Sequence, residues 1–373
     1  MGNIQAVKEQ NKCTGCSICI AVCPKNAIFM RVSDYGFLEP YIHWEQCNSC
    51  GKCLKFCVSN NLGAIENIRD KTVFSYRAPS NHFKLLCSSG GFSLALALTY
   101  LKKDFFFVGA SFSDEFKYTK HVICENYVEV FNTIGSKYIQ SDMSDVLLKI
   151  VDRGNRSKYV VVGTPCQIAG FRKFIDEKGQ KDRFVFVDFF CHGVPSYLLW
   201  WKYIGNLQKK IGPLIHYEFR NKFESWHEFR VRAIGEKGFY SQWHSIDPFM
   251  FFYLNNSCLR NSCFFCKYRV MSAADIRIGD FWGPQFQDDK AGVSIIVLLN
   301  ERGSKVFNEL VGFKEKIEVK ELEANLSLQK PRFYEQFLTE LKENDFDVIL
   351  KKYYISMIIK ENISGILKKI GMR

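Results

Sequence analysis

Cys13-Thr14-Gly15-Cys16-Ser17-Ile18-Cys19-Ile20-Ala21-Val22-Cys23-Pro24 is the stretch that decides the first part of the fold. Its cysteines stand at x2-x2-x3 spacing and recur 34 residues later as Cys47, Cys50, Cys53 and Cys57. Three thiolates on one tight loop can reach three irons of a single cube. The fourth is carried away by the following turn and serves the neighbouring cube. That crossing assigns Cys13, Cys16, Cys19 and Cys57 to one 4Fe–4S cluster, and Cys47, Cys50, Cys53 and Cys23 to a second. Val58 stands where Pro usually follows the second run, a departure that removes no ligand. Zinc prefers two separated cysteine pairs, so this repeated spacing opposes it. Residues 1–67 are therefore expected to form a two-cluster module.

Eight of the 15 cysteines fall in the first 57 residues, in runs too tight to pair easily as disulfides. At 373 residues, 47% hydrophobic and 24% charged, the chain has the composition of a globular protein of two or three domains. The N-terminal MGNIQAVKEQNK has no apolar core of a secretory signal, and position 6 is Ala where a myristoylation signal wants Ser or Thr. No apolar run reaches the ~18 residues of a membrane span. The expected location is the cytoplasm, or the inner face of the membrane as a peripheral protein. The net charge of +12 is spread along the chain, not gathered with interleaved aromatics, which speaks against nucleic acid. It suits an acidic redox partner or a phosphate-bearing ligand.

KTVFSYRAPSNHFK, from Lys71, is read as a linker into a second unit over 68–335. That unit is expected to be mixed α/β. Phe105–Val108, Val160–Val162 and Phe184–Val187 are β-rich, and the last two run into a loop and then a helical pattern. Ile215–Arg220 and Glu228–Ile234 alternate as antiparallel strands do. A helical, basic tail is expected over 336–373, with Ile355, Ile359, Ile363, Leu367 and Ile370 at helical spacing. Such a stripe covers the protein's own core, an oligomer interface or an anionic membrane.

Within the second unit Cys258-x4-Cys263-x2-Cys266 is a third set, which needs a remote fourth ligand. Cys87, Cys124, Cys166 and Cys191 remain, and Cys166 and Cys191 each follow a β-run where α/β proteins place ligands. Zinc is a stronger rival at this spacing. Three loops lead from strands or turns into helices: Ser88-Ser89-Gly90-Gly91, Gly163-Thr164-Pro165-Cys166-Gln167 and Cys191-His192-Gly193-Val194-Pro195-Ser196. Glycines there let the backbone approach a ligand, and free N–H groups at a helix start favour phosphate. His192 is a candidate proton relay, and Arg220 and Lys222 are candidates for a phosphate or a flavin anion.

Ser88–Gly91, Gly135-Ser136-Lys137-Tyr138, GTPCQIAG from Gly163, DFFCHGVPS from Asp188, FRNK from Phe219 and ADIRIGDFWG from Ala274 occur in a consistent order. Together they resemble the coenzyme F420 hydrogenase/dehydrogenase beta-subunit family, preceded by its two-cluster ferredoxin extension, over about residues 1–330. The resemblance implies an oxidoreductase that binds FAD beside a 4Fe–4S cluster and exchanges electrons with a ferredoxin-type partner. Family substrates include coenzyme F420 and, in plant and cyanobacterial relatives, a chlorophyll intermediate; the substrate here is left open. It implies Cys258, Cys263 and Cys266 as ligands of a third cluster, with Cys166 as the fourth and Cys191 as runner-up. The flavin would lie against Ser88, Ser89, Gly90, Gly91, Ser136, Lys137, Gly163, Thr164, Gln167, Arg220 and Lys222, with His192 at the chemistry. Two rivals remain: a non-catalytic electron-transfer subunit, and a zinc-stabilised interaction protein bearing a ferredoxin domain.

Overall fold

A computed structural model describes residues 2–153, 156–318 and 328–356. The two cysteine runs adopt the same loop. Gly15 and its counterpart Ser49 have positive φ, as do Ser17 and its counterpart Gly51 (68°, 54°, 66° and 72°). Left-handed residues at matching places turn each loop tightly, and Gly tolerates that conformation best. Short helices Ile18–Ala21 and Lys52–Phe56 follow the loops, and an antiparallel hairpin, Ile28–Val32 with Leu38–Ile42, joins the copies. Ile4, Val7, Ile20 and Ile28 pack with Cys19, Cys53 and Cys57 as a small core.

The second unit is built on a nine-stranded mixed sheet. Its order is Phe313–Ile317, Thr72–Arg77, Ser294–Leu298, Ile276–Asp280, Phe184–Phe189, Lys158–Gly163, Phe105–Phe112, Thr119–Cys124 and Ser141–Asp142. The strands from Ile276 to Phe105 in that order run parallel, and antiparallel pairs flank them on both sides. The expected β-runs at 105, 160 and 184 are thus its central strands. Their near-continuous Val and Phe content suits burial on both faces. Leu214–Asn221, Arg230–Gly235 and Gly238–Trp243 form a separate antiparallel sheet, as the alternation predicts.

The expected linker from Lys71 is a correction. Thr72–Arg77 is a strand inside the large sheet, paired on both edges, with Val73 and Tyr76 buried. Its β-branched and aromatic content outweighs the Pro79-Ser80-Asn81 turn signal that follows.

The first unit shares its core with the second. Ile18, Val22, Phe56 and Val58 pack with Ile168, Phe171 and Phe174, the last three on helix Pro165–Glu177. Gly170 permits this approach: a Cβ there would stand 3.2 Å from Ile18 and Val58 side chains. Glu66–Asn67 already pairs with Met271–Ser272 of the second unit.

The described part of the tail packs inward. Helix Tyr334–Glu343 buries Phe337 and Leu341, and Phe346, Ile349 and Tyr353 join the same aromatic core around Trp200 and Phe249. Ile355 is half exposed, and the apolar positions 359, 363, 367 and 370 lie outside the described residues. Among the described residues no helix is long and apolar enough to cross a membrane.

Candidate functional site

The crossed assignment of the N-terminal ligands has a geometric counterpart. Cys23, Cys47, Cys50 and Cys53 line one cavity together with Lys25, and Cys50 reaches the surface. Cys57 lies instead with the first run. Burial pushes the Cys13, Cys16 and Cys19 thiols up, and the nearby Cys57 pushes each in the same direction. A buried thiolate set of this kind calls for a compensating cation. Backbone N–H groups of Gly15 and Ala27 also point at Cys13 Sγ and Cys23 Sγ, both at 3.3 Å.

Four cysteines of the second unit form a third set. Burial pushes the Cys191 thiol well up, followed by the like charges of Cys263, Cys166 and Cys266. Cys166 and Cys263 each feel another member of this set in the same way, as does Cys266. Cys166 sits in the first turn of helix Pro165–Glu177, which Thr164 and Gln167 start: the Thr164 N–H donates to Gln167 Oε1 at 3.1 Å. Gln167 Nε2 then donates to the Ser141 carbonyl at 2.8 Å. Cys191 follows strand Phe184–Phe189.

Cys258 stands apart from the set. It is fully buried in the aromatic core, its thiol pushed up to about 12 by burial, with the Ser196 N–H opposing. Segment 258–263 is zipped along 193–196: Ser196 N–H donates to Cys258 O at 2.9 Å and Arg260 N–H to Val194 O at 2.8 Å. The zipper brings Cys263 beside Gly193 and turns Cys258 away into the core. Gly193 has φ +142°, and a Cβ there would stand 3.0 Å from Leu259 Cδ1 and 3.3 Å from Cys263 Cβ. Gly193→Ala is therefore expected to cost about 1–3 kcal/mol in strain and to lower the iron bound at the third set. Iron and sulfide assay of the anaerobic variant checks this; unchanged iron would show that the loop tolerates the Cβ.

Among the described residues no group of three or more His, Cys, Asp or Glu is arranged for a single metal ion.

The first and third sets are neighbours: Cys16 and Cys166 pack in one apolar cluster, Cys166 is the first thiol to act on Cys16, and the Thr164 hydroxyl lies 3.3 Å from Cys166 Sγ. Beyond the third set, aromatic rings lead away from it. His192 lies 4.9 Å from Tyr253, and Tyr253 lies 5.1 Å from Tyr138. His192 Nε2 is buried, and burial lowers its pKa, with Arg269 acting in the same direction and the Asn256 side chain and Tyr253 backbone opposing. Next to Tyr138 is Arg220, whose Nη1 donates to Asp280 Oδ2 at 2.5 Å. Its Nε and Nη2 are buried without partners, as is the Trp226 indole nitrogen. Trp226 and Trp282 stack at 4.6 Å and 8°, and the Arg220 guanidinium lies 5.5 Å from the Trp282 ring.

The loops expected at a flavin meet in part. Ser136 N–H and Oγ both donate to Ser88 Oγ, at 2.7 and 2.9 Å. Lys222 Nζ donates to the carbonyls of Ser89 and Ala291, at 2.7 and 2.5 Å. Lys222 is buried, and desolvation lowers its pKa to about 7. Lys137 is likewise lowered to about 7 by burial, and donates to the Ile134 and Gly135 carbonyls. The Gly90 N–H is taken by Ser294 Oγ at 3.0 Å, and Gly91, at φ +86°, starts helix Phe92–Leu101. Gly163, Thr164 and Gln167 instead support Cys166. Unsatisfied N–H groups on Arg220 and Trp226, beside stacked indoles, fit an anionic group with a planar part. Asp280 and Trp282 lie within the ADIRIGDFWG motif without standing out from it; Trp226, Tyr253 and Arg260 carried no separable signal.

Interleaved cysteine sets on a hairpin unit, docked against a third set on a mixed sheet, define an iron–sulfur redox protein. Residues 12–61 match the family described as 4Fe-4S dicluster domain, and residues 156–325 match the C terminus of the coenzyme F420 hydrogenase/dehydrogenase beta subunit. The two matches lie along the chain in that order, as its motifs led one to expect. Motifs from Gly163 onward fall inside the second match; Ser88–Gly91 and Gly135–Tyr138 precede it. A chain in a structure of the F420-reducing NiFe hydrogenase complex from Methanosarcina barkeri is similar at 16% identity and a TM-score of 0.48. The similarity covers 77% of this chain and 94% of that one. No curated protein matches the chain.

Proposed function

We propose that the chain is a flavin-dependent iron–sulfur oxidoreductase that exchanges electrons with an acidic, ferredoxin-type protein and a small-molecule substrate. The observation that carries this reading is that the first and third cysteine sets share one apolar cluster, with Cys166 the first thiol to act on Cys16. It makes the N-terminal module continuous with the second unit's own set. Cys13, Cys16, Cys19 and Cys57 would hold the inner N-terminal cluster, and Cys23, Cys47, Cys50 and Cys53 the outer. Cys166, Cys191, Cys263 and Cys266 would hold the third, a set that replaces Cys258 with Cys191. FAD, when bound, supplies the exchange between one-electron clusters and a two-electron substrate.

The protein's own groups have definable parts. Arg220, held by Asp280 and beside Tyr138, would present the N–H groups of its Nε and Nη2 to a flavin or phosphate oxygen. Ser88 and Ser136 fix each other at the mouth of the same region, and Lys222 ties the Ser89 loop to Ala291. His192, beside Cys191, would hold a proton at its buried Nε2.

Lys222→Met removes both carbonyl contacts and is expected to lower bound flavin severalfold while iron stays unchanged. Flavin released by denaturation, counted against iron, checks this. The function itself is tested by mixing the anaerobic protein with dithionite-reduced ferredoxin and following flavin absorbance. Bleaching, and recovery with a candidate substrate, supports the enzyme. Bleaching with no recovery by any small molecule supports a non-catalytic electron-transfer subunit instead.

A further inference from the structure

Arg260 sits where the two units meet, and it is buried. Its Nη1 donates to the Cys13 carbonyl at 3.2 Å, and its Nη2 to the Leu38 carbonyl at 2.6 Å and to Gln140 Oε1 at 2.9 Å. Gln140 Nε2 donates onward to the carbonyls of Thr14 and Gly15, both at 3.1 Å. Ser262 Oγ adds a bond to the Cys13 carbonyl at 2.9 Å. Gly15 leaves room for this clamp: a Cβ there would stand 2.2 Å from Gln140 Nε2 and 3.0 Å from Arg260 Nη2. By its backbone Arg260 belongs to the third set, since its carbonyl accepts from the Cys263 N–H at 2.9 Å.

Its charge is the second observation. Among the described residues no carboxylate forms an ion pair with Arg260, and its Nε is buried without a partner. A buried guanidinium without a counter-charge is costly unless a negative group lies nearby. The negative groups in reach are thiolates of two sets, Cys13 on one side and Cys166 and Cys263 on the other.

We propose that Arg260 is the positioning residue for electron transfer between the inner N-terminal cluster and the third cluster. Its fork locks the Cys13 loop against the Cys263 loop, and its unpaired charge favours the reduced, more negative state of both clusters. The step is a one-electron exchange: the inner cluster loses the electron that the third gains, and the ferredoxin-type partner resupplies it. This inference rests on the three-cluster reading proposed above.

The test is an anaerobic redox titration of the full chain followed by electron paramagnetic resonance. In Arg260→Gln the reduced-to-oxidised ratio of the inner and third clusters should fall about tenfold at a fixed potential, which is about 59 mV for one electron. The outer cluster at Cys23, Cys47, Cys50 and Cys53 should not move. Arg260→Lys keeps the charge and should hold both ratios within about threefold of the native protein. Three unchanged potentials in fully loaded Arg260→Gln, or an equal shift of all three, overturn the proposal. If Arg260→Gln does not keep its iron, Arg260→Lys decides: ratios held support the proposal, and a tenfold fall with full iron overturns it. A native protein with fewer than three clusters defeats the three-cluster reading itself, a result separate from either.

Discussion

Cys191→Ala, purified without oxygen, is expected to carry about eight irons per chain in place of about twelve, whereas Cys258→Ala keeps about twelve. The contrast follows from where the two thiols lie. Cys191 is pressed by Cys263, Cys166 and Cys266, so its loss opens one corner of the third set. Cys258 is not among the thiols that act on Cys191 and fills an apolar site, so Ala there is expected to cost packing and not a ligand. With the third cluster gone, the inner N-terminal cluster has no neighbour on the path toward the flavin region. Flavin reduction by reduced ferredoxin should therefore be lost in Cys191→Ala and retained in Cys258→Ala. Iron and sulfide assays with stopped-flow absorbance read both effects. Loss of four irons from Cys258→Ala, with Cys191→Ala intact, would restore Cys258 to the set.

Arg277→Leu is expected to be the most destabilising substitution near the site. Arg277 and Asp188 are both fully buried and paired twice, Nε to Oδ1 at 2.7 Å and Nη2 to Oδ2 at 2.8 Å. Ser272 Oγ also donates to Asp188 at 2.7 Å. Breaking such a pair from one side leaves an uncompensated buried charge and costs about 3–5 kcal/mol. The pair also serves the cluster loop, because Arg277 donates to the carbonyls of Arg269 and Met271 at 2.9 and 2.8 Å. Arg269 in turn donates to the His192 carbonyl at 2.7 Å and the Cys263 carbonyl at 3.3 Å. Arg277→Leu should therefore shed third-cluster iron at a lower urea concentration than the native protein, before the N-terminal clusters are lost. The double variant with Asp188→Leu should recover part of that loss, since it leaves no charge behind. Iron released against urea, with EPR of the remaining clusters, checks the order. Simultaneous loss of all three clusters at the native midpoint would remove the pair from this role.

How far the sequence disclosed the site depended on how local each signal was. The grouping of the N-terminal cysteines was legible because all eight lie in two copies of one loop, whose spacing alone implies the crossing of Cys23 and Cys57. The central strands were legible because a strand buried on both faces reads as an apolar run. Cys258, expected from its spacing as a ligand, is left out of the proposed set, because spacing along the chain says nothing of the zipper with 193–196 that turns this cysteine into the core. Thr72–Arg77 was missed because a neighbouring Pro and Ser suggested a break, while its pairing partners lie more than 200 residues away in sequence. Gly163, Thr164 and Gln167, expected at a flavin, form a helix start that carries Cys166 in its first turn. The Arg220, Asp280 and Trp282 grouping needed the sheet, because its members lie on separate segments about 60 residues apart.

The three cysteine sets are proposed to form a continuous path of clusters leading to a flavin on one chain. The most direct test is a count of iron, acid-labile sulfide, zinc and flavin on the anaerobically purified native protein. About twelve irons, matching sulfide and one flavin per chain are predicted. About eight irons with one zinc and no flavin would contradict the claim and leave a two-cluster domain attached to a zinc-stabilised unit.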